Sequence, residues 1–416
     1  MCNVQELVKK ESKLLPLKAF NFLIYGTVVI FTSFFQLYLQ DAGMNKLEIG
    51  SLMALGPFVS LIANPFWTFW SDRMQNARRI LLFMMTGTLL LIQFVFHAGT
   101  YNMIYLAMIL FFFFQSPLFA QSNTLILGYI SDKPQHFSTF RNWGSIGWAV
   151  IAITAGILID QVGISRLSFL ITGLLLLAIG TVLLLLPPLR AASETPPIRL
   201  RGFGKIVINR YVIAFIVLGM LVSVPNSMNN TFMSLYITEL GGSKTMVGLA
   251  VFLSSFLEVA VLLLFHRYLK RSLSTLIGCL TLVSVLFCVR WLLMAGAAHP
   301  LEVAIIQIMH CLTFGGYFFV GTQVVSQLVP PVHRASAQSL FTLTWSGISG
   351  MIGSLAGGWL FQNFGGQAMY NIGFMLAMFG AIGFGIMWYW LRFQGHHPKP
   401  DSPEEELEEL LEEEYR

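Results

Sequence analysis

The sequence predicts an all-α polytopic membrane protein, with twelve transmembrane helices in two pseudo-symmetric six-helix bundles. Three observations predict this. The 416 residues are 56% hydrophobic and 11% charged, with a mean hydropathy of +0.70, whereas soluble globular chains average about 25% charged. Apolar runs of helix length recur twelve times along the chain, and a lipid-spanning backbone must satisfy its own hydrogen bonds, as a helix does. Finally, two stretches of the first half recur in the second at nearly the same offset.

The predicted spans lie near 17–40, 47–70, 79–98, 102–130, 140–160, 166–187, 211–237, 245–266, 274–296, 300–328, 336–361 and 367–391. Residues 1–16 form a basic N-terminal arm without the cleavage pattern of a signal peptide. Residues 17–187 form the first six-helix bundle and 211–392 the second. Between them, 188–210 is the longest polar stretch between spans, rich in Pro, Gly and charge, and reads as a cytoplasmic linker. Residues 393–416 form an acidic cytoplasmic tail, with eight Glu among the eleven residues 404–414. With the N-terminus inside, twenty of the 25 Lys and Arg fall in inner segments and three (Lys46, Arg166, Lys244) in outer loops. This positive-inside bias puts both termini in the cytoplasm of a multi-pass plasma-membrane protein.

The internal repeat supports the two-bundle reading. LYLQDAGMNKLEIGSL at 37–52 aligns with LYITELGGSKTMVGLA at 235–250, offset 198. Trp143, Ile146, Gly156 and Gly163 match Trp345, Ile348, Gly358 and Gly365, offset 202. Parallel six-helix repeats with a site near the midplane at their interface are the architecture of an alternating-access transporter. Gly347, Gly350, Gly353 and Gly357 put a glycine face on span 11 for close helix packing.

Function is read from the ionisable residues at membrane depth, which are costly unless paired or wetted. Glu258, Arg290 and His310 each lie inside an apolar segment, and Glu258 is the one Asp or Glu so placed. At ~1.5 Å rise per residue, Glu258 lies ~12 Å from the Arg267 end of its span, Arg290 ~22 Å from Thr275 and His310 ~15 Å from Pro300. All three heads are therefore expected to meet near mid-membrane. Two readings follow: a coupling centre in which Glu258 and Arg290 neutralise each other beside a titratable imidazole, or a structural ion pair locking three helices. The four Cys show no metal or CxxC spacing. No metal, cofactor or nucleic-acid site is expected. No phosphate-gripping loop is present, which argues against ATP-driven transport. No clustered His/Asp/Glu or nucleophile suggests an enzyme.

WSDRMQNARR at 70–79 puts an acid and basic residues at a cytoplasmic turn. It resembles the signature loop of the major facilitator superfamily, Gly-x-x-x-Asp-Arg-x-Gly-Arg-Arg. Asp72, Arg73, Arg78 and Arg79 match, the last two displaced, while Thr68 and Gln75 stand where Gly is usual. Such a loop acts as a gate, with Asp72 bonding a neighbouring helix N-terminus. Within that superfamily the chain resembles the branch of lactose permease and the phenylpropionate-type permeases, from span 1 to span 12. RNWGSIGWA at 141–149 is similar to the permease's Arg-x-x-Gly-Cys-x-Gly-Trp-Ala segment. The resemblance makes Arg141 a substrate contact and Trp148 a stacking platform; Arg141 is equally placed to snorkel to the inner surface. SSFLEVAV, CVRWLL and IMHCLTF resemble segments bearing a glutamate, an arginine and a histidine. They imply that Glu258 binds substrate or carries the proton, with Arg290 and His310 completing the coupling network.

The departures simplify that network. A permease carboxylate falls at Thr313, two span-7 aspartates fall at Asn226 and Asn229, and a span-11 lysine falls near Ser346. Removing both signs together strands no charge. Asn226 and Asn229 remain substrate-contact candidates. The expected function is proton-coupled symport, by alternating access, of a small organic solute such as a sugar, nucleoside or aromatic acid, by a monomer. A proton-coupled exporter of the same fold is the alternative.

Overall fold

A computed structural model of the chain describes residues 15–74, 76–130, 137–186, 209–256, 258–269 and 272–394. Nearly all of the N-terminal arm and of the linker, together with the acidic run of the tail, lies outside the described residues. The first bundle contains α1 (Leu15–Asp41), α2 (Lys46–Met74), α3 (Ala77–His97), α4 (Tyr101–Gln115 with Leu118–Ile130), α5 (Phe137–Val162) and α6 (Ile164–Leu185). The second contains α7 (Arg210–Glu239), α8 (Lys244–Phe256 with Glu258–Tyr268), α9 (Leu273–Gly296) and α10 (Pro300–Gln327). It ends in a helical run, Arg334–Phe393, broken by non-helical dihedrals at Gly365 into α11 (334–364) and α12 (366–393). No strand occurs among the described residues. Each predicted span coincides with one of these twelve helices to within a few residues.

The helices begin where the sequence supplies acceptors for free N–H groups. Asn76 accepts from Arg79 N at the start of α3, Asn209 from Tyr211 N at α7 and Ser272 from Thr275 N at α9. At α2, Asn45 and Glu48 bond reciprocally, Glu48 N to Asn45 Oδ1 at 2.9 Å and Asn45 N to Glu48 Oε2 at 2.8 Å, a capping box. Burial then sorts the helices. In α1, 72% of the most apolar window is buried within the protein, against 28% in α6, so α1 is central and α6 faces lipid.

The internal repeat has a geometric cause. Among the described residues the positive-φ glycines are Gly43, Gly241, Gly163 and Gly365, with φ of 92°, 85°, 88° and 83°. They form two of the repeat pairs, and each turns the chain out of a helix through a region that side chains disfavour. Two more pairs bring the halves together. A Cβ on Gly358 would lie 2.7 Å from Lys46 O, and one on Gly156 2.5 Å from Lys244 O. Gly50 and Gly248, their partners across α2–α11 and α5–α8, have no more room. The glycines of α11 are not one face. Gly347 and Gly350 abut Leu61 and Pro57 of α2, whereas Gly353 and Gly357 abut Ser227, Met228 and Phe232 of α7.

Contact between the halves is concentrated at the end holding residues 42–45 and 240–243, called the outer end here from the charge count. Lys46 Nζ lies 3.1 Å from Glu239 Oε2 and 4.6 Å from the Phe361 ring centre. At the opposite end α2 and α11 part around a space of about 460 Å³, lined by Ser60, Asn64, Gln338, Thr342 and Ser346 among others.

Candidate functional site

Five helices surround a cavity of about 380 Å³ between the halves. Each presents a stripe at helical spacing, because residues three, four or seven apart share a face. From α1 come Tyr25, Thr32 and Ser33; from α5, Arg141, Ser145 and Trp148; from α7, Asn229, Asn230 and Met233. From α8 come Val251, Ser254, Ser255 and Glu258, and from α10 Gln307, His310 and Phe314. Of the residues singled out in the sequence, Arg141, Trp148, Asn229, Glu258 and His310 line this one space. Arg290 and Asn226 do not.

Arg290 lies behind the wall with no exposed surface. It donates from Nη2 to Gln307 Oε1 at 2.6 Å and from Nη1 to Thr313 Oγ1 at 3.1 Å, and lies 3.1 Å from His310 Nδ1. A guanidinium only donates, so Nδ1 accepts and the ring's proton sits on Nε2. The wide turn Cys311–Gly315 follows His310 directly, and Thr313 Oγ1 donates back to Met309 O at 2.7 Å within it. Gln307 extends the network: its Oε1 also accepts from Asn229 Nδ2 at 3.4 Å, and Asn229 Oδ1 accepts from Tyr370 at 3.1 Å. Asn226 is buried, and its Oδ1 has no partner among the described residues.

The expected meeting of three charges is therefore only partly realised. Arg290 and His310 are bonded, but no hydrogen bond or ion pair joins Glu258 to either of them. The cation that lines the cavity with Glu258 is Arg141, from the other half. Neither Arg141 nor Glu258 has a hydrogen-bond partner among the described residues. The physical reason is angular: Arg290's face of α9 turns into the α9–α10 contact, while Glu258 shares its stripe with Ser254 and Ser255 toward α5.

The family model described as "MFS_1 like family" matches residues 14–372. The chain belongs to that family. It is a major facilitator superfamily transporter, a non-enzymatic carrier of small solutes in a membrane. Among curated relatives, an uncharacterised transporter YwbF of Bacillus subtilis (strain 168) is 22% identical over 374 residues, covering 90% of this chain and 91% of that protein. A maltose permease of Geobacillus stearothermophilus is 25% identical over 354 residues, covering 84% and 88%. Among solved structures, the nucleoside transporter NupG superposes with a TM-score of 0.78 at 15% identity, covering 92% of this chain and all (100%) of that one.

In this MFS transporter the gating-loop residues are not gathered into one contact. Asp72 is exposed and has no hydrogen-bond partner among the described residues. Arg78 instead folds onto its own bundle, donating to Val182 O at 3.1 and 3.0 Å and to Leu183 O at 2.9 Å, where a cation complements the end of α6. Arg73 and Arg79 are exposed. The sequence reading passed over Gln307, Ser145 and Ser254. Their signal was present: each lies three or four residues from a singled-out residue on the same helix face.

Proposed function

We propose that this transporter is a proton-coupled importer of a small organic solute such as a sugar, nucleoside or aromatic acid, working as a plasma-membrane monomer with both termini cytoplasmic. One observation carries the reading. Glu258 and Arg141 face the same cavity from opposite halves, and neither has a hydrogen-bond partner among the described residues. A polar solute with hydroxyl or carboxylate groups supplies the missing partners. Trp148 and Phe314 offer ring faces, and Asn229, Asn230 and Ser254 offer further hydrogen bonds. The names of the maltose permease and of the nucleoside transporter agree with such solutes.

Coupling follows from which half holds which charge. A carboxylate keeps its charge beside a guanidinium and takes a proton when that guanidinium withdraws. Rocking of the halves changes the Arg141–Glu258 separation directly, whereas Arg290 travels with Glu258 in the same half. Glu258 is therefore the proton carrier and Arg141 its cross-half switch. Arg290 and Gln307 hold His310 as a donor toward the solute. In reconstituted vesicles, Glu258→Gln should abolish uptake driven by a pH gradient while retaining equilibrium exchange of solute. Accumulation against the gradient by that variant would refute the carrier assignment, and outward accumulation by the wild type would favour an exporter.

A further inference from the structure

We infer that Asp160 and Gln362 are a pseudo-symmetric pair of cross-half latches that hold the outer end closed, and that Asp160 is the stronger of the two. At the end of α5, Asp160 Oδ1 accepts from Lys244 N at 2.9 Å, and Oδ2 accepts from Thr245 N at 2.7 Å and Thr245 Oγ1 at 2.6 Å. At the end of α11, Gln362 Oε1 accepts from Lys46 N at 3.0 Å. The repeat offsets relate these bonds. Position 160 maps to 362 at offset 202, and position 46 maps to 244 at offset 198. Each latch thus bonds the first backbone N–H of the facing helix, α8 in one case and α2 in the other. The close-packed glycines at 156, 358, 50 and 248 lie about one turn away and bring the backbones near enough for these bonds.

The inequality has a cause in the receiving helices. A helix N-terminus carries free N–H groups and a partial positive charge, so an anion there is favourable. The helix α2 has its own acid in the first turn, Glu48, and its Lys46 is already engaged by Glu239. A neutral acceptor suffices at that corner. By contrast, α8 has no acid in its first turn, and the Ser243 side chain that accepts from Met246 N at 3.3 Å is neutral. Asp160 supplies the absent anion from the opposite half. Opening the outer end withdraws it and takes the acceptor from the N–H groups of Lys244 and Thr245, so this part of the cap is a set of bonds that one facing state makes and the other lacks. At the far end, Asp72 has no such partner among the described residues.

The test needs no solute and no proton gradient, so its outcome is separate from that of the coupling reading. Spin labels at Asn102 and Ala298, exposed outer-end positions in opposite halves, report outer opening as a longer distance in a background with the four native cysteines replaced by serine. Asp160→Leu should raise the open-to-closed ratio about tenfold, the factor that matches ~1.4 kcal/mol and the usual scale of an N-cap loss. Asp160→Asn, which keeps one acceptor, should fall between, and Gln362→Leu should shift the ratio less than Asp160→Leu. Thr245→Val, which removes one donor and leaves Asp160 intact, should shift the ratio in the same direction and guards against misfolding at position 160. An unchanged distribution in Asp160→Leu and Thr245→Val would overturn the latch. A larger shift in Gln362→Leu than in Asp160→Leu would overturn the asymmetry.

Discussion

Gln307→Leu isolates what holds a buried cation without an anion. Arg290 has no exposed surface, its Nε has no partner among the described residues, and its shortest hydrogen bond is the 2.6 Å contact to Gln307 Oε1. A hydrogen bond to a charged group contributes ~1.5–3 kcal/mol net, and leucine replaces glutamine at similar volume with no acceptor. The substitution also removes the 3.3 Å bond from Gln307 Nε2 to Val303 O and leaves Asn229 Nδ2 without its acceptor, together ~1 kcal/mol more. The expected loss is therefore ~2.5–4 kcal/mol in equilibrium denaturation of the solute-free protein in micelles. Gln307→Glu keeps the acceptor and gives Arg290 a counter-charge at the cost of the Nε2 donor, so it should lose less than half as much. Retention of wild-type stability to within ~0.5 kcal/mol in Gln307→Leu, the range of an inconsequential substitution, would refute the reasoning. It would mean that Thr313 and His310 suffice for Arg290.

Two further outcomes are expected. Arg141→Lys keeps the charge but loses the planar fork; because Arg141 makes no hydrogen bond among the described residues, it should leave stability unchanged and raise the transport KM about tenfold, the factor for one lost polar contact of ~1.4 kcal/mol. Wild-type KM would favour the snorkelling reading instead. For topology, cysteines at Ala42 and Ser243 should react with an impermeant thiol reagent from outside intact cells, and cysteines at Met74 and Ala335 should not. The reverse pattern would invert the charge-based orientation.

The sequence by itself determined the twelve helices, the duplicated halves and five residues of the cavity wall, Arg141, Trp148, Asn229, Glu258 and His310. Span length and hydropathy answer to the bilayer alone, so Leu15–Asp41 and Leu273–Gly296 are legible without knowing their neighbours. The repeat glycines were legible as a pattern, because turns and backbone contacts that glycine alone tolerates recur in both halves. Ionisable residues inside apolar runs announced themselves through rarity, and Glu258 and His310 do line the cavity. What the sequence could not decide was pairing. Depth along a helix follows from counting residues, but the direction a side chain points around the axis depends on which helix packs there. Glu258 and Arg290 were thus expected to neutralise each other, while packing turned Arg290 toward Gln307 and His310 and set Glu258 opposite Arg141. The outer closure was invisible for the same reason. Asp160 reads as an ordinary residue at the end of a span until the fold brings the first N–H of α8 to within 2.9 Å of it, since a helix dipole is a property of the folded neighbour and has no signature at position 160.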